Sequence, residues 1–201
     1  MSGVIQATNL QTTNIKSATG NTGATIASNG DMTMSASRKL YAPGHIVQVL
    51  QAVFTDVQTV SSADTRTDIT NLSVAITPSS ASSKILVNTY ISYGGDNTNL
   101  YSSGYLMRDS TDIGVNTTAT NNQFNISFGM DLTGQANETY KLRNSAMSFL
   151  DSPSSTSSLT YKVQVRVNSN GTLYINRPGV DANADYGSRG LSTLTVMEVA
   201  G

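Results

Sequence analysis

The side chains that most often carry catalysis are scarce in this chain. His45 is the only histidine among 201 residues, and there is no cysteine. We therefore expect neither a Ser-His-Asp triad nor a metal site with two imidazoles within one subunit. A three-fold axis would bring three copies of His45 together, but a solvated histidine at the start of a strand is the favoured interpretation.

Paired carboxylates that hydrolyse glycosides are not excluded by the composition. There are two glutamates, Glu138 and Glu198, and Glu198 falls in the apolar stretch that ends the chain. The remaining candidates lie in predicted loops, where aspartate normally makes turns: Asp96, Asp109, Asp112, Asp151, Asp181 and Asp185. The expectation is a protein that is not an enzyme, with a glycan depolymerase as a minor alternative.

The stretch from Asp181 to Gly187 has oxygen ligands at alternate positions, as a calcium loop does. However, Tyr186 stands at the sixth position, where glycine makes the turn, and Ser192 stands at the twelfth, where a bidentate acid is needed. We therefore predict a surface loop. No metal site and no cofactor are expected.

Tyrosines cluster around a turn rich in glycine and asparagine. Tyr90, Tyr93, Tyr101 and Tyr105 lie within 16 residues of sequence. An aromatic ring covers the C–H face of a sugar while neighbouring amides bond its hydroxyls, so this turn is a candidate ligand site. The candidate contacts are Tyr93, Asp96, Asn97, Asn99 and Tyr101. The alternative is that alternate tyrosines line a sandwich core or a subunit interface.

Composition excludes several partners. Charged residues make up 12% of the chain, the net charge is −1 and no basic cluster occurs, so nucleic acid is not an expected partner. The absence of cysteine excludes a disulfide framework and a cysteine-based zinc site. The first residues lack the charged and apolar regions of a signal peptide, and no apolar run approaches membrane-spanning length. We expect a soluble protein made in a cytoplasm, without membrane insertion.

The last fifty residues contain the clearest strand pattern. Apolar and polar residues alternate from Leu159 to Val167, which is typical of a strand with one buried face. The turn-forming stretch 168–171, with its Asn-Gly pair, precedes a second apolar segment at 172–175, so we predict a hairpin. The apolar run from Leu191 to Val199 predicts an interior strand at the end of the chain.

The rest of the chain from residue 44 also indicates strands joined by turns. Residues 45–55 are mostly apolar and too dense for a one-sided edge strand, so a buried strand is predicted. At 123–130 the alternation places Phe124, Ile126, Phe128 and Met130 on one side. Further strands are predicted at 72–77, 84–93, 101–108, 111–115 and 145–150, with loops at 78–83, 94–99 and 151–158.

These strands predict an all-β fold, an antiparallel β-sandwich of the jelly-roll or TNF-like type. An immunoglobulin-like sandwich is less favoured because tryptophan and the cysteine pair are absent.

Residues 1–43 differ from residues 44–201, and we divide the chain there. Short apolar segments such as Val4-Ile5 and Leu10 are separated by Gly, Asn, Ser and Thr. The turn at 29–31 predicts one small hairpin, and none of these segments is long enough to form a core alone. They need partners, either as a β-rich fibre shaft wound from several chains or as an arm docked on another protein.

Several phrases of the sequence occur together and in order. They are 44–49 (GHIVQV), 72–87 (LSVAITPSSASSKILV), 106–114 (LMRDSTDIG), 148–166 (SFLDSPSSTSSLTYKVQVR), 173–177 (LYINR) and 192–201 (STLTVMEVAG). They resemble the distal domain of bacteriophage virion appendages, chiefly the tail-fibre proteins of marine phages. Residues 15–34 are similar to the shaft-like repeats that precede such domains.

The resemblance implies a homotrimeric fibre or spike of a virion. Residues 1–43 would bind other virion proteins of the tail or capsid, and the knob would bind a glycan or protein on the host surface. Because barely forty residues precede the knob, a head fibre or a capsid decoration protein without a specific receptor stays open beside a tail fibre.

Overall fold

The computed structural model describes residues 14–16, 19–20, 22–35, 42–97, 99–133, 138–168 and 171–201. The chain forms two compact units, residues 1–45 and residues 46–201. The roles predicted for the two parts stay predictions.

In the first unit three short strands form an antiparallel sheet in the order β1 (Asn14–Lys16), β2 (Thr22–Ile26) and β3 (Met32–Met34). The predicted hairpin is confirmed for β2 and β3. Gly30 closes its turn with a φ of 90°, a conformation that glycine adopts without steric cost. Segments 4–5 and 10, which the sequence also singled out, lie outside the described residues.

The second unit is built almost entirely of strands. They are β4 (Ile46–Phe54), β5 (Gln58–Val60), β6 (Thr67–Ile76), β7 (Lys84–Gly95), β8 (Asn99–Leu100), β9 (Ser102–Arg108), β10 (Thr111–Ile113), β11 (Phe128–Gly129), β12 (Leu132–Thr133), β13 (Arg143–Asp151), β14 (Leu159–Val167), β15 (Leu173–Ile175) and β16 (Ser192–Val199). One turn of 3₁₀ helix, Glu138–Tyr140, is the only helical element within the described residues.

Two antiparallel sheets make the sandwich. Sheet I runs β4-β16-β7-β13. At the far end of β7, the short strand β15 pairs with β7 on the same side as β16, and β5 pairs with β15. Sheet II runs β6-β14-β9, and the short strands β10 and β11 share the far side of β9. The long strands alternate between the sheets in the order β4, β6, β7, β9 and again in the order β13, β14, β16, which is the connectivity of a jelly roll. The short strands β5 and β15 both belong to sheet I. The predicted all-β antiparallel sandwich is confirmed.

The core lies between the two sheets and follows from the alternation of the long strands. In β14 every second residue from Leu159 to Val167 is buried. Sheet I supplies facing side chains from β7 and β16. Fully buried members of the cluster include Leu72, Ile76, Ile85, Val87, Ile91, Val163, Val165, Leu194 and Val196. Burial of each such side chain stabilises the folded protein by about 1.5–3 kcal/mol.

The predicted interior strand at the end of the chain is confirmed. β16 lies between β4 and β7 and pairs with both along most of its length. Its inward side chains are buried, and the hydrogen bonds on both edges are used. The last residues are therefore held in the middle of sheet I.

The strand predicted at 45–55 exists, but its predicted burial is wrong. β4 is an edge strand of sheet I and pairs only with β16 among the described residues. Phe54 reaches the core, whereas Ile46, Val49, Leu50 and Val53 are exposed. The run looked buried because its outward positions are as apolar as its inward ones.

The hairpin predicted between 159–167 and 172–175 is also wrong. β14 lies in sheet II, whereas β15 pairs with β5 and β7 in sheet I. Turn residues report only local backbone chemistry, and both strands present apolar side chains to the same core from opposite sides. The chain therefore crosses from one sheet to the other at this point.

The long strand predicted at 123–130 shortens to β11. Phe128 and Met130 are buried as predicted, but residues 123–127 form no strand and Phe124 is exposed. β11 pairs with Gly104 of β9, where a Cβ atom would overlap the ring of Phe128. The alternation predicted the buried side chains correctly and the length of the strand incorrectly.

Candidate functional site

The five candidate ligand contacts have different environments in the structure and do not all face a ligand. Tyr93 is 4% exposed and belongs to the core cluster, which is the alternative that the sequence left open for the tyrosines. Asp96 accepts a hydrogen bond of 2.7 Å from the backbone N–H of Thr172. Asn97 is half-buried, and the backbone of Asn99 pairs in β8. Tyr101 is exposed, so it is the member of the set with a ring open to a ligand.

The other candidates for metal binding are occupied or isolated. His45 is exposed just before β4, and its backbone N–H donates to the carbonyl of Ala42. Asp181 accepts from the guanidinium of Arg189, which lowers the pKa of its carboxyl. Within the described parts of the chain, no group of three His, Cys, Asp or Glu side chains could hold a metal ion.

A buried ion pair joins the two sheets. Arg108 of sheet II donates to both carboxylate oxygens of Asp151 in sheet I, at 2.9 and 2.8 Å. The hydroxyl of Tyr161 donates to the same carboxylate at 2.7 Å. Burial, together with this hydrogen bond to a carboxylate, raises the pKa of Tyr161 far above its usual value. The carboxylate is saturated with donors, which suits a structural contact between the layers.

Glu198 is fully buried in β16 and is also saturated. One oxygen, Oε1, accepts from the backbone N–H of Ser79 at 2.7 Å, from its hydroxyl, and from the hydroxyl of Ser83 at 2.8 Å. The other, Oε2, accepts from Gln48 at 2.6 Å. Burial alone would raise the pKa of Glu198, but these hydrogen bonds outweigh it and lower the pKa. Glu198 thus attaches the loop before β7 to the last strand.

A shallow depression of about 430 Å³ lies against the long loop between β10 and β11. Phe124, 57% exposed, stands beside amide and hydroxyl side chains of this loop. The guanidinium of Arg166 lies 4.0 Å from the centre of its ring. The lining includes Ser103, Asn116, Thr118, Gln123 and Asn125. An aromatic ring with adjacent amides can bind a sugar, and the exposed Phe124, predicted to be in a strand, was missed as a candidate.

The outward side of sheet I is almost free of charge. We call the outward side chains of β4, β16, β7 and β13 the sheet I face. Its apolar members are Ile46, Val49, Val53, Met197, Val199, Leu86, Tyr90, Ala146 and Leu150, and its polar members are Gln51, Thr193, Thr195, Asn88, Asn144 and Ser148. Among these described strands, Lys84 at the end of β7 is the only charged residue that points outward. Arg189, from the segment before β16, lies beside Tyr90 and Asn144 at one end of the face.

The outward side of sheet II has the opposite character. Lys162 of β14 pairs with Asp68 of β6 at 2.9 Å. Arg66 pairs with Asp112 at 2.6 Å and stacks over the ring of Tyr105, 3.7 Å from its centre. Arg166 pairs with an aspartate, Asp64, as well as stacking on Phe124. These ion pairs are typical of a surface that faces water.

The sequence offered one signal for the sheet I face, the density of apolar residues in 45–55, which we interpreted as burial within one chain.

Among the described residues, no helix is long and apolar enough to span a membrane.

No protein-family model matches the chain, and no curated protein matches it. Among solved structures it is similar to the Gx strain of infectious bursal disease virus, at 12% identity and a TM-score of 0.40, over 80% of this chain and 39% of that chain. The Gt strain gives 11% identity and a TM-score of 0.39, over 85% and 39%. The VP2 subviral particle of the same virus gives 12% and 0.34, over 85% and 40%. This chain therefore spans about two fifths of the length of those chains. At such TM-scores the likeness decides neither fold nor function.

Proposed function

We propose that the chain is a non-enzymatic structural protein of a virion. It is a homotrimeric fibre or spike, in which residues 44–201 form a knob exposed to the host and residues 1–43 attach it to the particle. Its sequence phrases, which resemble bacteriophage tail-fibre proteins, motivate this proposal.

The observation that carries the proposal is the unequal construction of the two units. The second unit has its own core, whereas the described sheet of the first, β1 to β3, buries a single apolar side chain, Ala24. Ile15 and Met32 of this sheet are exposed. A small sheet whose described residues bury so little apolar surface is marginal in water. Such a sheet would gain its stability from a partner. A tail or capsid protein, or the same segment of other copies in a shaft, supplies that partner.

The non-enzymatic part of the proposal agrees with the chemistry of the buried carboxylates. Asp151 and Glu198 are both saturated with hydrogen-bond donors inside the protein. Neither carboxylate offers a free oxygen to a substrate.

Attachment to a host glycan or protein would use the exposed rings at Tyr101 and Phe124. Ser103, two residues after Tyr101, lines the depression beside Phe124, so both rings lie near the start of β9. Single contacts of this kind are weak. Three copies in a knob, and many knobs on a particle, raise the avidity by about 10² to 10⁴ without new contacts.

The test is to label purified virus particles with an antibody against residues 44–201 and to locate the label by electron microscopy. We expect label on the tail or the head, and none on particles of a virus that encodes a chain lacking residues 1–43. Particles with Tyr101→Ala should keep the label and adsorb to host cells more slowly. Absence of the wild-type chain from particles would overturn the proposal; label with unchanged adsorption would favour a decoration protein.

A further inference from the structure

We infer that the sheet I face is the surface through which copies of this chain associate. The inference deepens the proposed function, since it assigns the homotrimer of the knob to a particular sheet. It starts from a contrast within one domain. The strands of sheet II carry several ion pairs on their outer side, whereas the four long strands of sheet I carry a single outward lysine, and Arg189 from the segment before β16 lies at one end of that side.

The exposed apolar area on this side is concentrated. Val49 is 55% exposed, Val53 is 46% exposed and Leu150 is 45% exposed, and Tyr90 lies between them on β7. Scattered exposed apolar side chains are normal, but a contiguous patch on one sheet marks an interaction surface. Leu50, on the inward side of the edge strand β4, is exposed as well.

The edge itself also needs cover. β4 pairs with β16 on one side, and no described strand pairs with its other side. A long edge strand with apolar side chains and no charged residue is a site where further chains pair or pack. Edges that stay free are usually protected by lysine or proline, or by a bulge. β4 has an irregularity in its pairing at Val47, but it carries neither lysine nor proline.

The chemistry of the face indicates a second copy as its partner. A face with almost no charge meets itself without repulsion, whereas a charged partner would lose water from its charges without gaining opposite charges. Polar groups on the face are partly paired already, since Gln51 donates to the hydroxyl of Thr195 at 2.8 Å. Apolar side chains and hydroxyls of the face can then pack against those of the neighbouring copies around a three-fold axis.

The size of the face fits such an association. The four strands contain eight to twelve residues each. Four strands about 4.8 Å apart, with about 3.3 Å per residue, cover a flat area of roughly 500 Å². The projecting side chains add to this area. A standard stable interface takes about 800 Å² of accessible surface from each partner, which is of the same order. In a ring of three, each face turns toward the axis and the β4 edge comes beside the next copy.

The experiment compares two alanines on edge strands of opposite sheets. Ala146 of β13 points outward on sheet I beside Tyr90, and Ala75 of β6 points outward on sheet II beside Thr160. Ala146→Glu places a carboxylate in the proposed interface, and Ala75→Glu is the matched control on the charged side. Val49→Glu adds a second probe, on β4. The full chain is measured by sedimentation equilibrium at 1 and 10 µM, and thermal unfolding verifies that each variant folds.

We expect the wild type and Ala75→Glu to sediment at three times the chain mass of 21.2 kDa. Ala146→Glu and Val49→Glu should sediment as folded monomers, with at least a 100-fold weaker association. Trimers in all four proteins would overturn the inference and leave the proposed function standing, with the trimer contacts elsewhere. A monomeric wild type would overturn the inference together with the trimer, and labelling of particles would then decide the rest of the proposed function.

Discussion

Among the side chains that the structure describes, Glu198 and Asp151 are the two buried carboxylates, and each stabilises the fold through the donors around it. Asp151 connects the sheets through Arg108 and Tyr161, whereas Glu198 connects one strand to a loop. A buried charge with fewer partners would cost several kcal/mol, roughly 3–5 when one member of a pair is removed. These residues therefore stabilise the fold only as complete networks.

Glu198 gives a pH-dependent prediction. Because its pKa is lowered in the folded protein, its stabilisation is present above the ordinary pKa of glutamate and is lost as the pH falls through the lowered value. Glu198→Gln should lower the free energy of unfolding at pH 7 by about 1–3 kcal/mol, because an amide replaces a carboxylate that accepts from Ser79, Ser83 and Gln48. As the pH falls below about 4.5, the free energy of unfolding of Glu198→Gln should decrease less steeply than that of the wild type.

Urea unfolding at pH values from 3 to 7 measures both effects. Asp185→Asn, in an exposed loop, serves as the control and should behave as the wild type at pH 7. Equal stability of Glu198→Gln and the wild type at neutral pH would contradict the role assigned to this carboxylate.

The sequence identified Glu198 and Asp151 as candidates, but not their roles. Asp151 was assigned to a turn and Glu198 to the last strand, and only the second assignment holds. The partners of Glu198 in the loop before β7 lie more than 100 residues away along the chain. No local pattern connects residues so distant, and the same holds for Phe124, whose neighbour Arg166 comes from another strand. Residue chemistry was predictable, and residue contacts were not.

At the scale of elements, β7 requires glycine where another segment crosses it closely. A Cβ atom on Gly94 would lie 2.6 Å from the carbonyl oxygen of Arg177 and from the Cα of Pro178. A Cβ atom on Gly179 would overlap the carbonyl oxygen of Gly95. Backbone meets backbone at this point, so neither segment can move aside without disturbing sheet I.

Gly179→Ala should therefore destabilise the protein by about 1–3 kcal/mol, as overpacking in a well-filled site does. Gly129→Ala in β11 is the matched control, because a Cβ atom there meets nothing within 4 Å. That variant should change the stability by less than about 0.5 kcal/mol. The midpoints of thermal unfolding of the two variants give the comparison. Similar midpoints would show that the segment around Gly179 can shift to make room for a Cβ atom.

The success of the strand predictions depended on how each strand is covered. Where one face is buried and the other wet, a period of two was informative: it located β14 with its correct bounds and the second half of β6, although the first half of β6 was missed. β4 was misjudged because its outward side chains are as apolar as its inward ones, so the sequence alone does not distinguish its exposed face from its buried one. The crossover after β14 was misjudged because Asn-Gly indicates a turn and not the sheet that the chain enters next.

At the scale of the molecule, the two sheets of the sandwich are specialised. The outward side of sheet II carries ion pairs, whereas the sheet I face consists mainly of apolar and uncharged polar side chains. A knob that functions as a multimer needs such a division, since the inner side holds the copies together and the outer side keeps the assembly soluble. The long loop between β10 and β11 belongs to the sheet II side, where Phe124 lies beneath Arg166.

The two-unit organisation predicts that the knob folds without the arm. Every member of the core cluster lies between Phe54 and Val196, so deletion of residues 1–43 removes none of it. The deleted protein should unfold cooperatively, with a free energy within about 1 kcal/mol of the full chain. It should also keep the sedimentation mass of the full chain, because the sheet I face lies within residues 46–201. Circular dichroism and sedimentation measure both quantities; a non-cooperative transition would show that the jelly roll depends on the first 43 residues.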